Sequence, residues 1–317
     1  MVGIALAAYN PNFSNFNKQL LSIQNQSYKS WVCVVTFDAG YDEFNKQTVF
    51  YKIRSDPRFV FLKNKTRLGH KKNFEFACYT LLEKHKNIKF LAFSDQDDIW
   101  YPDKLQKKLD LFKGNSNALL VHSDMHILDD NKGKEKIRMI QKIPVTGWQI
   151  EKRLPHLFNV NQILVKNIVT GASMMIRSEL YKKYSVISDS FDFHDHWFAA
   201  VASINSQIFY ISEPLFSYRQ HTENVVGISN YKHFFHIKNR KKIIFQLRKV
   251  YIQSNERFLV INNLKELSKI DHFVFFKKYD LGLGFLFLSL RHMLKGNFSI
   301  SKSYLANSLG KILTILF

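Results

Sequence analysis

Three carboxylates fall within four residues at Asp95, Asp97 and Asp98, where the apolar run Phe90-Leu91-Ala92-Phe93-Ser94 ends. An apolar run with aromatics reads as a buried strand, so the acids sit where that strand leaves a sheet. In open α/β sheets this is the edge at which ligands bind. Asp95 and Asp97 are two residues apart and point the same way on an extended backbone. Two carboxylates on one side suit a hard divalent cation, Mg²⁺ or Mn²⁺, and such a cation can hold a diphosphate. The competing reading is a solvated acidic turn with Asp98 capping the next helix. A D-x-D pattern by itself does not separate the two.

The elements that must position these acids are legible as alternation. Residues 2–9 read as an apolar strand stopped by Asn10-Pro11. A helix follows over about residues 13–26, with Phe16, Leu20, Leu21 and Ile23 at helical spacing. Residues 31–37 form a second strand that closes in Asp38-Ala39-Gly40, and residues 59–62 a short third one, followed by a loop holding Arg67 and Lys71. A helix over about 72–84 leads into the strand that carries Asp95. Uninterrupted apolar strands alternating with amphipathic helices predict an α/β fold, a mostly parallel sheet with helices on both faces. Tyr9-Asn10, Asp38 and the acids then share one edge. Beyond them the sequence predicts a helix from Pro102 to about Phe112 and a strand over 118–127. A strand over 169–176, a helix over about 193–203 and a strand over 207–211 follow. Neither a dinucleotide fingerprint nor a P-loop is present.

The chain has 317 residues and is 46% hydrophobic, with mean hydropathy −0.21, which excludes a disordered chain. Cys33 and Cys78 fall in a predicted strand and helix and read as buried apolar residues, with no disulfide framework. A reducing, cytoplasmic setting fits, and the direct entry into a strand predicts no signal peptide. The net charge is +20; residues 229–317 hold 16 Lys/Arg against 4 Asp/Glu. A basic stretch of that kind calls for an anionic partner.

Several strings occur in one order: Ala8-Tyr9-Asn10, Asp38-Ala39-Gly40, Ser94-Asp95-Gln96-Asp97-Asp98-Ile99-Trp100, Thr170-Gly171-Ala172, His194-Asp195-His196-Trp197 and Tyr218-Arg219-Gln220-His221. Together they resemble bacterial glycosyltransferase family 2 over residues 2–228, and the third and last strings resemble its rhamnosyltransferase-like branch. The resemblance implies a GT-A fold, a Rossmann-like nucleotide-diphospho-sugar transferase architecture. It implies metal-dependent, inverting transfer from a nucleotide-sugar donor, dTDP-rhamnose or a UDP-hexose. The acceptor would be a hydroxyl of a growing surface glycan such as capsule, O-antigen or lipopolysaccharide. Two departures stand out. Ala39 takes the place of a second acid before Gly40, and His194 stands where an acid is usual.

The resemblance also implies roles. Asp95, Asp97 and His221 would hold the Mg²⁺ or Mn²⁺. Ala8, Tyr9, Asn10, Asp38, Arg67, Lys71, Asp95, Gln96, Tyr218 and Arg219 would meet the nucleotide sugar. Asp195 would be the catalytic base, taking the proton of the attacking hydroxyl. Gly171, His194, His196 and Trp197 would meet the acceptor. Residue chemistry alone leaves alternatives: a helix N-cap for Asp195, core packing for Tyr9, solvated loop charge for Arg67 and Lys71, and a surface turn for His221.

Residues 229–317 interleave bases with apolar residues and predict basic amphipathic helices on an anionic membrane surface. That suits a lipid-linked glycan acceptor at the inner face of the cell membrane. The alternative is a helical cap on a catalytic unit of residues 1–228. Two other function classes fit the charge or the fold less well. A nucleic-acid-binding protein would need a binding motif that is missing, and it leaves the acids unexplained. A non-catalytic glycan-assembly partner of the same fold is suggested only by Ala39.

Overall fold

The structure is a computed structural model that describes residues 1–129, 133–138, 163–164, 167, 169–204, 207–220, 253, 256–261 and 263–264. Strands β1 (Val2–Tyr9), β2 (Trp31–Ala39), β3 (Phe59–Lys63) and β4 (Phe90–Ser94) lie side by side in the order β3-β2-β1-β4. All three pairings are parallel. Helix α1 (Phe13–Gln24) connects β1 to β2, and α4 (His70–Lys84) connects β3 to β4. Between β2 and β3 run two short helices, α2 (Tyr41–Lys46) and α3 (Tyr51–Arg54).

Strand residues alternate between two apolar layers, as the pleat requires. Val34, Leu91 and Phe93 face Phe74, Ala77, Cys78 and Leu81 of α4. Cys33, Val35 and Phe37 face Phe16, Leu20 and Ile23 of α1. Both faces are covered, which is why these strands read as continuous apolar runs. Both cysteines are buried and unpaired.

The second half supplies β5 (Ile99–Trp100), α5 (Lys104–Gly114), β6 (Leu120–Asp129), β7 (Gly133–Arg138), β8 (Met174–Arg177), α6 (Ser178–Lys183), α7 (His194–Ser203) and β9 (Ile208–Gln220). Strand β8 enters antiparallel between β4 and β6, while β6 and β9 pair in parallel. The sheet is therefore the expected α/β one, parallel from β3 to β4 and mixed beyond β4.

Two elements differ from the expectation. The strand predicted to end at residue 211 continues to Gln220. A bulge absorbs Ser212 and Glu213: Ile211 pairs with Ser123, and Pro214 with Asp124. The continuation is held on its other side by β5, through Ile99↔Ser217 and Trp100↔Phe216. Tyr218 and Arg219 thus lie on a strand beside the acids. The strand predicted over 169–176 opens as a 3₁₀ turn, Gly171–Ser173, before β8.

One piece of the basic C-terminal region packs on the first unit. Phe258 and Ile261 are buried in the same apolar cluster as Ile163, Leu164 and Trp197. Arg257 Nε donates to Ser190 O at 2.8 Å. The rest of the membrane-surface reading falls outside the described residues. Among the described residues no helix is long and apolar enough to cross a membrane.

Phe44 is the keystone of the α2 side. It is fully buried, with ring centroids of Phe50, Phe61, Phe37 and Phe16 at 4.6, 4.9, 5.1 and 5.7 Å. Phe44→Ala should cost about 3–5 kcal/mol in chemical denaturation. A loss no larger than that of a surface substitution would contradict this packing.

Candidate active site

The acidic loop is built between β4 and β5 and is clamped from three directions. From beneath, the buried amide of Gln19 on α1 accepts from Ser94 Oγ (2.5 Å) and Trp100 Nε1 (3.2 Å) and donates to Asp98 O (2.7 Å). From the β1 side, Tyr9 N donates to Gln96 Oε1 at 2.8 Å and Gln96 Nε2 donates back to Tyr9 O at 3.2 Å. From β9, Arg219 N donates to Asp98 Oδ1 (3.2 Å) and Arg219 Nε to Asp97 O (3.0 Å). Gln96 and Arg219 therefore brace the loop itself, and Arg219 is buried in doing so. Asp98 is fully buried and caps no helix; the residue before α5 is Asp103.

The carboxylates share one electric field. Burial, then Asp97, then Asp195 push the Asp95 carboxyl above its ordinary range. Burial raises Asp98 well above its range, with Asp95 and Asp97 adding to it. The Tyr218 phenol is raised by burial and then by Asp95, Asp98, Asp97 and Asp195 together. Like charges gathered in a partly dry place raise one another in this way. Such a donor set fits a hard divalent cation, which would relieve the surplus charge. Among the described residues no three His, Cys, Asp or Glu side chains form a metal cluster. A cation on Asp95 and Asp97 would complete its shell with phosphate and water oxygens, the usual arrangement for Mg²⁺. His221 falls outside the described residues.

Asp195 stands across from this loop at the second position of α7, whose N-cap is Phe193. Its Oδ2 accepts from Gly171 N at 2.9 Å. Its Oδ1 accepts from Asn167 Nδ2 at 3.0 Å and His196 N at 2.6 Å. Burial pushes its carboxyl up to about 6, against the opposing pull of these donors. That is a suitable value for a base working near neutral pH. Gly171 is required where it stands: a Cβ there would come within 2.8 Å of His194 Nε2.

The flanking residues serve the base from behind. His194 is buried among Phe74, Phe93 and His70, with ring centroids at 4.2, 4.8 and 5.5 Å. Burial, then His70, hold it well below the ordinary imidazole range, so it is neutral. His196 hydrogen-bonds Ile163 O through Nε2 (2.6 Å), and Trp197 Nε1 donates to Tyr184 O (2.8 Å). These three are buried. Asp195 is the residue of the string whose charge reaches Asp95.

The nucleotide side has its own geometry. Tyr9 is 44% exposed, which removes the core-packing reading, and the Arg67 guanidinium lies 4.4 Å from its ring centroid. Asn10 adopts φ +42°, a conformation Asn tolerates better than most residues. Ala8 is buried and contributes backbone to the sheet. Asn10, Asp38, Gly40, Tyr41, Lys63 and Asn64 help line a cavity of about 530 Å³ at the ends of β1–β3. Asp38 spends its carboxylate on the loop behind it, accepting from Asn64 Nδ2 (2.5 Å), Leu68 N (3.0 Å) and Gly69 N (2.7 Å). It thereby sets the loop that carries Arg67. Lys71 turns away, to Asp189 Oδ1 and Phe191 O, both at 3.4 Å.

Sequence reasoning passes over Gln19, Asn64 and Asn167, whose types carry no signal until the fold brings them to an acid. It also passes over Lys104 and Lys108. These had a signal: with Phe112 they mark one helical face, at four-residue spacing, that is buried.

Comparison with known proteins agrees with this geometry. Residues 4–185 match the family model "Glycosyl transferase family 2". An uncharacterised glycosyltransferase of Methanocaldococcus jannaschii is 22% identical over 227 residues, 69% of this chain and 70% of its own length. The Escherichia coli UDP-Glc:alpha-D-GlcNAc-diphosphoundecaprenol beta-1,3-glucosyltransferase WfgD is 27% identical over 143 residues, 45% of this chain and 53% of the relative. Among solved structures, residues 1-349 of S. aureus TarS in complex with UDP-GlcNAc superpose with TM-score 0.53 at 13% identity, covering 96% of this chain and 90% of that one. That likeness is one of fold. With its family model matched over more than half its length and its acids on the strand edge of this sheet, the chain belongs to glycosyl transferase family 2 and is a glycosyltransferase of GT-A fold.

Proposed function

We propose that this glycosyltransferase is metal-dependent and inverting, and that it moves a hexose from a UDP-sugar to a hydroxyl of a growing surface glycan. One observation carries the reading: Asp95, Asp97, Asp195 and Tyr218 converge on one field at the sheet edge. The base stacks on the exposed Tyr9 ring beside Arg67, and the diphosphate lies over the acidic loop. When bound on Asp95 and Asp97, a Mg²⁺ or Mn²⁺ supplies positive charge against the leaving diphosphate. Asp195 accepts the proton of the acceptor hydroxyl as its oxygen bonds to the anomeric carbon, and the bond from that carbon to the phosphate oxygen breaks. Gly171, Asn167 and the His196 amide hold the carboxylate while this happens. UDP is favoured by the UDP-glucose named for the E. coli relative and the UDP-GlcNAc in the TarS complex. The Ser94–Trp100 string supports dTDP-rhamnose as the second donor to test. A lipid-linked acceptor at the inner membrane face suits the basic residues 229–317, of which the described part caps the catalytic unit.

The test is nucleotide release from UDP-glucose, UDP-galactose, UDP-N-acetylglucosamine and dTDP-rhamnose, with Mn²⁺ and with EDTA. One donor should turn over with metal and stop without it, and Asp97→Ala should abolish the release. Release from none of them would refute the proposal. Asp195→Asn should lower kcat about 10²- to 10⁴-fold with little change in KM for the donor. Full activity in that variant would turn the reading to a non-catalytic partner. Because Asp195 must be ionised and titrates at about 6, kcat should be flat near neutral pH. It should fall about tenfold per unit well below that value. A flat profile down to pH 5 would remove Asp195 as the base.

A further inference from the structure

Helix α5 buries a face made of Lys104, Leu105, Lys108 and Phe112, with the two lysines 1% and 0% exposed. Leu or Met would be the stable choice at both positions. Burial disfavours a charged head: it pushes Lys108 down to about 7 and, with Lys108 adding to the fall, Lys104 well below the usual ammonium range, so the two heads serve as N–H donors. A feature so unfavourable to the fold points to what its two heads touch.

Both heads reach the same short turn. Lys104 Nζ donates to Ala172 O at 2.6 Å, and Lys108 Nζ donates to Ser173 O. The Lys104 Nζ also lies over two rings, 3.9 Å from Trp100 and 4.1 Å from Phe216. The turn is closed on itself by Ser173 N and Oγ donating to Thr170 O at 3.0 and 2.8 Å. Its opposite side presents the Gly171 N–H to Asp195 Oδ2. There is no room beside the turn for a side chain, because a Cβ on Gly171 would come within 2.8 Å of His194 Nε2. A pull on the carbonyls at one side therefore fixes the amide at the other. Lys104 also lies in the field of Asp98 and Asp95 and favours their ionised forms.

We infer that Lys104 and Lys108 are positioning residues: together they anchor the Gly171–Ser173 turn that aims Asp195 and tie it to the acidic loop. The inference rests on the proposed transfer reaction and names two residues it requires beyond those that meet substrate. Neither lysine touches donor or acceptor. Without them the turn shifts, the Gly171 N–H leaves the carboxylate, and the base loses its line to the acceptor.

The experiment uses the full chain, with the UDP-sugar that the wild type turns over, in Mn²⁺. Lys104→Met and Lys108→Met keep the approximate volume and remove the N–H donor. Each should lower kcat about 10- to 100-fold, the scale of a small misplacement of a catalytic group. KM for the donor should stay within about threefold, and Tm should be unchanged or raised. The acidic limb of the kcat profile should move to higher pH, since Asp195 loses the Gly171 N–H that favours its ionised form. If a Met variant fails to fold, Lys108→Gln, whose amide ends one bond short of the lysine head, is read in the same way. An unchanged kcat with the limb in place overturns the inference. So does a fall in kcat that only follows a fall in Tm with KM rising alongside. A wild-type chain that releases no nucleotide removes the transfer reading and this inference with it. An active wild type with indifferent lysines removes only the inference.

Discussion

Burial of carboxylates close to one another is the constraint around which this molecule is arranged. Burial raises Asp95, Asp98 and Asp195 at the edge of β4, with Asp97 and Asp195 adding at Asp95 and Asp95 and Asp97 adding at Asp98. Nothing in the apolar layers asks for this. The braces around the acids are what permit it: Gln19 from α1, Arg219 from β9 and the Gly171 amide. The acids make the native state less stable at neutral pH than a neutral edge would. Asp195 shows the sign. Its carboxyl rises from 3.8 to about 6 on folding, so in that window the native state binds more protons than the unfolded chain. Stability is then lost as pH rises through it. Sites that trade stability for chemistry have this character.

The parallel half of the fold was readable because its strands are covered on both faces, and apolar runs of that kind have few other uses. The acids at the end of β4 were readable for the same reason, since a buried strand that ends in three carboxylates has one place to put them. The rest depended on contacts that a local window does not contain. β9 carries Glu213-Pro214, which punctuate a strand, yet pairing with β6 on one side and β5 on the other carries it on to Gln220. His196 and Trp197 share a string with Asp195, but consecutive helical residues face different ways, and α7 is packed so that those two point inward. Asp98 sits beside two exposed-looking acids and is the one buried beneath Arg219.

The two lysines of α5 illustrate the same point from the other side. Their spacing puts them on the apolar face, and a reading by residue type places them in solvent. Packing decided, because the turn before β8 presents two carbonyls to that face. The site is thus assembled from both halves of the chain. The first half brings Tyr9, Arg67 and the acidic loop; the later half brings Asp195, the turn and the strand that locks the loop down. A GT-A sheet supplies the shared edge, and side chains distant in sequence supply the geometry.

The central claim is that the acid cluster is completed by a cation and a diphosphate. Calorimetric titration of UDP into the full chain, in Mn²⁺ and then in EDTA, tests it most directly. The account predicts saturable binding with Mn²⁺ that weakens by more than about tenfold once the cation is removed, since the acids then face the phosphates uncompensated. Equal affinity in the two buffers would contradict it.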